Sequence, residues 1–132
     1  MLFHGDEDRL VNDLDIWIDS EKGNAHRCFD ALNALMPDSL DFRPSLLAIK
    51  GWRINLRSSR YDVEIFTSMD GVEFDEFFLR CKKYTRNGEL LYFVRAQDLL
   101  AIKREVYKSY CERMDKEGKD IAFLENLLRT LP

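Results

Sequence analysis

Asp13-Leu14-Asp15-Ile16-Trp17 decides the reading of this chain, because two carboxylates separated by one apolar residue in a β-type run fall on the same face of a strand. Val11, Leu14, Ile16 and Ile18 are strand formers around the pair. The alternation sets Asp13, Asp15 and Trp17 on one face and Leu14, Ile16 and Ile18 on the other. Like charges this close raise each other's pKa and weaken a strand unless a cation lies between them. A hard divalent ion such as Mg²⁺, which takes oxygen ligands and retains waters, meets that need. An edge strand with one wet face accounts for the same pair without any ion.

A second acidic run follows. Tyr61-Asp62-Val63-Glu64-Ile65-Phe66-Thr67 alternates in the same way, with Asp62 and Glu64 on one face and Val63 and Ile65 on the other. Two such strands side by side would gather a carboxylate cluster of the kind that serves phosphoryl transfer, where metal ions stabilise the attacking and leaving oxygens.

Outward from these runs the chain reads as strand, helix, strands, short helix, hairpin and two helices. Ala25, Cys28, Phe29, Leu32, Leu35 and Met36 recur at helical spacing, and Pro37 stops that helix. Residues 46–49 and 52–56 read as strand segments, with Ser58-Ser59 in the turn to the acidic strand. Phe74, Phe77, Phe78 and Cys81 mark a short helix, and Asn87-Gly88 between apolar runs is a two-residue hairpin turn. Leu99, Leu100, Ile102, Val106, Tyr107 and Tyr110 line one further helix; Ile121, Leu124, Leu127, Leu128 and Leu131 line another, with Gly118 and the polar stretch before it expected as the turn. The fold class expected is therefore α/β (α+β): a mixed sheet flanked by helices, with two C-terminal helices, in a single domain over residues 1–132.

Composition fits that size. A chain of 132 residues, 45% hydrophobic and 33% charged, buries roughly two-thirds of its unfolded surface as one domain. A net charge of -4 argues against a broad nucleic-acid surface, and the local cluster Arg53, Arg57 and Arg60 reads as a solvated edge. Cys28, Cys81 and Cys111 are odd in number and lack Cys-x-x-Cys spacing, which suits reduced thiols in the cytoplasm. His4 and His26 share no ligand spacing with them, so zinc is not expected. No apolar run is long enough to span a membrane, and no secretory-type N-terminus is present.

Lys103, four residues after Leu99 and three before Val106, shares the inward side of its helix. A buried ammonium requires a partner; the alternative is a lysine whose stem covers core while its head reaches water. Lys119 and Asp120 stand near the start of the last helix, where an aspartate is often a cap. Trp17 and Trp52 have the ring to stack on a base, although an aromatic at a strand end is more often packing.

Taken in order, several pieces carry a resemblance. They are His4-Gly5, residues 9–17 ending in Asp-Leu-Asp-Ile-Trp, the helix opening at 21–25, the strand 62–68 running into Met69-Asp70-Gly71-Val72, Asp98-Leu99-Leu100 with Lys103, and Lys119-Asp120-Ile121-Ala122. In this order and spacing the chain resembles the minimal bacterial nucleotidyltransferases of the DNA polymerase β superfamily, a kind associated with toxin–antitoxin pairs. The resemblance implies that Asp13 and Asp15 are the first two metal carboxylates and that Glu64 takes the place of the third, usually an aspartate. It implies Mg²⁺ or Mn²⁺ as cofactor, a nucleoside triphosphate with phosphates met by Lys103 and Lys119, and transfer of a nucleoside monophosphate to a hydroxyl of protein, RNA or a small molecule. The family's Gly-Ser motif, on a helix upstream of the His-Gly pair, would precede Met1, Val11 stands where Thr is frequent, and Phe123 replaces the acid of Lys-Asp-x-x-Asp. These departures admit a second reading, a catalytically impaired relative that binds a toxin or antitoxin partner. Loss of that helix would expose one sheet face and favour homo-oligomers.

Overall fold

The computed structural model of the chain describes residues 13–57, 62–109 and 114–130. His4, Gly5, Arg9, Val11, the Ser58-Ser59 turn with Arg60 and Tyr61, Tyr110, Cys111 and Leu131 lie outside the described residues. The fold is mixed α+β, and the chain divides into two compact units, Met1–Leu79 and Arg80–Pro132.

In the first unit, β1 (Asp13–Trp17), β2 (Arg53–Arg57) and β3 (Asp62–Phe66) form a three-stranded sheet in the order β1-β3-β2. β3 is central, parallel to β1 and antiparallel to β2. β2 and β3 alternate strictly, so one sheet face collects Ile54, Leu56, Val63 and Ile65, all buried, whereas on β1 Leu14 stays 43% exposed. Helix α1 (Lys22–Leu35) covers that face with Ala25 and Leu32, joined by Met36 and the fully buried Leu47. Burying each such aliphatic side chain is worth about 1.5–3 kcal/mol, which is why the apolar period of two fixes this face inward. Leu35, counted above on the apolar face of α1, is instead 72% exposed at the helix end.

Glu21 starts α1 by turning its carboxylate onto the helix: Gly23 and Asn24 donate their N–H groups to it at 2.9 and 3.0 Å. Those two bonds hold the Glu21 carboxyl below its ordinary pKa. A Cβ at Gly23 would lie 3.0 Å from the Glu21 carboxylate, so glycine leaves room for the cap.

Residues 46–49, expected as strand, belong instead to a 3₁₀ turn, Pro44–Ala48. Pro44 at its first position fixes the helical φ, and the turn seats Leu47 against α1. A second 3₁₀ turn, Pro37–Ser39, follows α1, as Pro37 demands.

Helix α2 (Phe74–Arg80) follows the turn 69–72, where Gly71 takes a positive φ of 73°. In the second unit, β4 (Lys82–Arg86) and β5 (Glu89–Phe93) make an antiparallel hairpin closed by Asn87-Gly88. Both turn residues have positive φ, 52° and 82°, as a type I′ turn needs. Helices α3 (Ala96–Ser109) and α4 (Met114–Thr130) pack through Ala96, Leu100 and Leu124, with Leu99, Ile121, Leu127 and Leu128 around them. Gly118 lies inside α4 rather than in the turn before it. A Cβ there would lie 3.6 Å from the Tyr107 ring, an ordinary contact distance, so this position faces α3 without requiring glycine.

Candidate functional site

The polar face of the three-stranded sheet is assembled by register. Asp13 pairs with Asp62 and Asp15 with Glu64 across the parallel β1–β3 ladder. Register partners in a parallel pair point to the same side, and adjacent strands run about 4.8 Å apart. On the other flank Asn55 pairs with Glu64 and Arg57 with Asp62. The face thus carries Asp13, Asp15, Asp62 and Glu64 beside Arg53, Asn55 and Arg57.

The strands are fixed at one end by a hydrogen-bonded clip. Ile18 donates to the Phe66 carbonyl at 3.0 Å and the Ser20 hydroxyl to the Thr67 carbonyl at 3.1 Å. Thr67, almost fully buried, accepts from the Trp52 N–H at 2.9 Å and returns a bond to the Trp52 carbonyl at 3.2 Å. Backbone and threonine hydroxyl together lock β1, β2 and β3 where their acidic residues align.

Charge on the face is already partly matched. The Arg53 guanidinium donates to the Glu64 carboxylate and also lies 5.5 Å from the centre of the Phe66 ring. Glu64 is the more enclosed partner, Arg53 the more open one. Asp13 and Asp15 on β1 are exposed. The donor chemistry is that of a hard divalent cation. In this conformation the set is not gathered: among the described residues no three acidic, histidine or cysteine side chains converge as a metal-holding group, and Arg53 is paired with Glu64.

Trp17 takes the packing role rather than an open ring. It meets Phe77 at 4.8 Å and Phe74 edge-on at 5.3 Å between ring centres, while its buried indole N–H finds no acceptor among the described residues. Trp52 is about half exposed beside β2.

Lys103 and Lys119 belong to the second unit. The Lys103 ammonium meets the buried Asp120 carboxylate at 2.9 Å, tying α3 to α4; Asp120 lies within α4 and is not its cap. Lys119 is exposed. Nearby in sequence, Asp98 accepts from Arg95 at 2.7 Å and pairs with Arg80 at 3.3 Å. Burial pushes the Asp98 carboxyl up, but the Arg95 bond and the charges of Arg95 and Arg80 together hold it below the ordinary aspartate value. Cys28 and Cys81 form no disulfide among the described residues, and burial raises both thiols above the ordinary value.

Arg53 was legible as part of an arginine cluster but not as the counter-charge of Glu64. The signal was its alternation with Ile54, Asn55, Leu56 and Arg57, which puts Arg53 on the same face as the acids once β2 is paired with β3. Comparison with family models, with curated proteins and with solved structures finds no match for the chain. No helix among the described residues is long and apolar enough to cross a membrane.

Proposed function

We propose that the chain is a metal-dependent nucleotidyltransferase that moves a nucleoside monophosphate from a nucleoside triphosphate to a hydroxyl acceptor. The single observation that carries the reading is the pairing of Asp15 with Glu64 in the parallel β1–β3 ladder, with Asp13 two residues away on the same face. Catalysis of this class rests on positioning and on stabilising charge, and two neighbouring strands are a rigid mount for three carboxylates. Mg²⁺ or Mn²⁺, when bound, would supply charge neutralisation on the phosphate oxygens.

The chain's own groups then have separate tasks. Asp13 and Asp15, on the exposed edge strand, present oxygen ligands. Glu64 is the third acid and would accept the proton of the attacking hydroxyl once Arg53 swings away from it. Arg53, its guanidinium open on one side, has a planar fork that suits a phosphate as well as a carboxylate. Lys103 and Lys119, which the resemblance makes phosphate contacts, lie in the second unit, where Asp120 holds the Lys103 ammonium.

A second reading is favoured by one observation, the Arg53–Glu64 pair, which already supplies one of the acids with a counter-charge. On that reading the fold survives without catalysis and binds a protein partner, as a toxin or antitoxin component. A labelled nucleotide offered with Mg²⁺ or Mn²⁺ to protein, RNA and small-molecule acceptors separates the two. Label transferred by the wild type and lost in Asp15→Ala supports the enzyme; transfer by neither protein supports the partner-binding reading.

A further inference from the structure

Charge is sorted by strand across the polar face of the three-stranded sheet. β1 sets Asp13 and Asp15 on that face, the central β3 sets Asp62 and Glu64, and β2 sets Arg53, Asn55 and Arg57 with no acid among them. All three β2 side chains are exposed. Alternate residues of a strand stand about 7 Å apart, so β2 presents two guanidinium groups and an amide in a row about 13 Å long, one strand away from the nearest acids. The row is held at both ends. The Ser39 hydroxyl donates to the Arg57 carbonyl at 3.0 Å, and Trp52, next to Arg53, is bonded to Thr67 in both directions.

Arg53 is the member of the row that can serve either charge. Its guanidinium donates to Glu64, yet its side chain is 44% exposed against 12% for Glu64. The Phe66 ring, 5.5 Å from the guanidinium carbon, gives the cation a seat that does not depend on the carboxylate. A divalent ion that takes Glu64 as a ligand must displace Arg53, which leaves two positive groups side by side with no anion between them. A phosphate that takes Arg53 alone meets four carboxylates on the same face. Each ligand removes the obstacle to the other, and a planar guanidinium fork fits a phosphate as well as it fits a carboxylate.

We infer that the β2 row Arg53, Asn55 and Arg57 is the phosphate seat of this face, and that phosphate and divalent cation bind cooperatively, Arg53 passing from Glu64 to the phosphate as the cation takes Glu64. That seat presupposes the nucleotidyltransferase reading of the face and supplies it with the groups that receive the triphosphate. It lies on the same sheet as the acids, whereas Lys103 is held by Asp120 in the other unit. A face built in this way takes the metal together with the nucleotide in preference to the free metal.

Mn²⁺ titration of the full chain, with the free ion followed by electron paramagnetic resonance, tests this when run with and without inorganic phosphate, each series against a protein-free blank holding the same anion. The wild type is expected to bind Mn²⁺ at least about tenfold more tightly when phosphate is present, a coupling of ordinary size for two linked sites. Arg53→Gln should bind Mn²⁺ more tightly than wild type without phosphate and gain almost nothing when phosphate is added. Arg57→Gln should lose part of the gain. If Arg53→Gln loses its circular dichroism spectrum, Arg57→Gln alone must show the reduced gain. Saturable Mn²⁺ binding by the wild type that is equally strong with and without phosphate, or a gain that persists undiminished in the folded variant, overturns the phosphate seat and leaves the metal site standing. Absence of saturable binding under both conditions overturns the seat and the metal site together.

Discussion

Glu64 and Arg53 show how little a residue's identity says without its neighbours. An acid at position 64 was readable as one of three; that its carboxylate is held by Arg53 depends on β2 lying antiparallel to β3, which no local pattern states. Arg53→Gln should cost stability by no more than about 1 kcal/mol, because the arginine is open to solvent and such pairs contribute little. It should also strengthen Mn²⁺ binding at the acidic face by freeing Glu64; thermal melts and metal titration of the variant check both halves. Lys103 shows the complementary case. Its inward position was legible from helical spacing, whereas its partner Asp120 sits on another helix and emerged only from α3–α4 packing. Lys103→Ala should therefore lower stability by about 1–3 kcal/mol by leaving a buried carboxylate without its ammonium, read as a lower denaturation midpoint. At Asp98 the carboxyl is held below its ordinary value in the folded chain. Its stabilisation is accordingly present above the unfolded aspartate pKa, near 3.9, and fades as pH falls through the lower folded value. Asp98→Asn should reduce the melting temperature at neutral pH and narrow the gap to wild type as the solution is acidified below about pH 4.

At the scale of elements, what the chain repeats locally was readable. The period-two alternation in β1 and β3, the Asn87-Gly88 turn, the Pro37 stop and the apolar faces of α3 and α4 each arise from forces within a few residues. Residues 44–48 were not readable, because Leu46 and Leu47 are apolar enough for a strand while Pro44 starts a 3₁₀ turn, and the choice is made by α1 receiving Leu47. Gly118 misled in another way: it has glycine's reputation for turns, but it lies inside α4. Leu47→Ala should cost about 2–5 kcal/mol, the usual penalty for emptying a closed core position, measured by chemical denaturation. The parallel pairing of β1 with β3 across the whole of α1 and β2 is the deepest feature that local pattern could not deliver, and it is what sets Asp15 opposite Glu64.

For the molecule as a whole, the proposal places four carboxylates on one sheet face with two arginines against them, an excess of negative charge that a cation relieves only in the folded state. An ion bound selectively by the native chain raises stability by about 2.7 kcal/mol at 100 times its dissociation constant, so melting curves should move upward with Mg²⁺ or Mn²⁺. The claim is tested most directly by titrating Mn²⁺ into the protein and following the free ion by electron paramagnetic resonance, for wild type, Asp13→Asn and Asp15→Asn. The account predicts saturable binding by the wild type and at least about tenfold weaker binding in each variant, equivalent to about 1.4 kcal/mol for each lost carboxylate charge. Absence of saturable binding, or binding of equal strength in all three proteins, would contradict a metal site on this face.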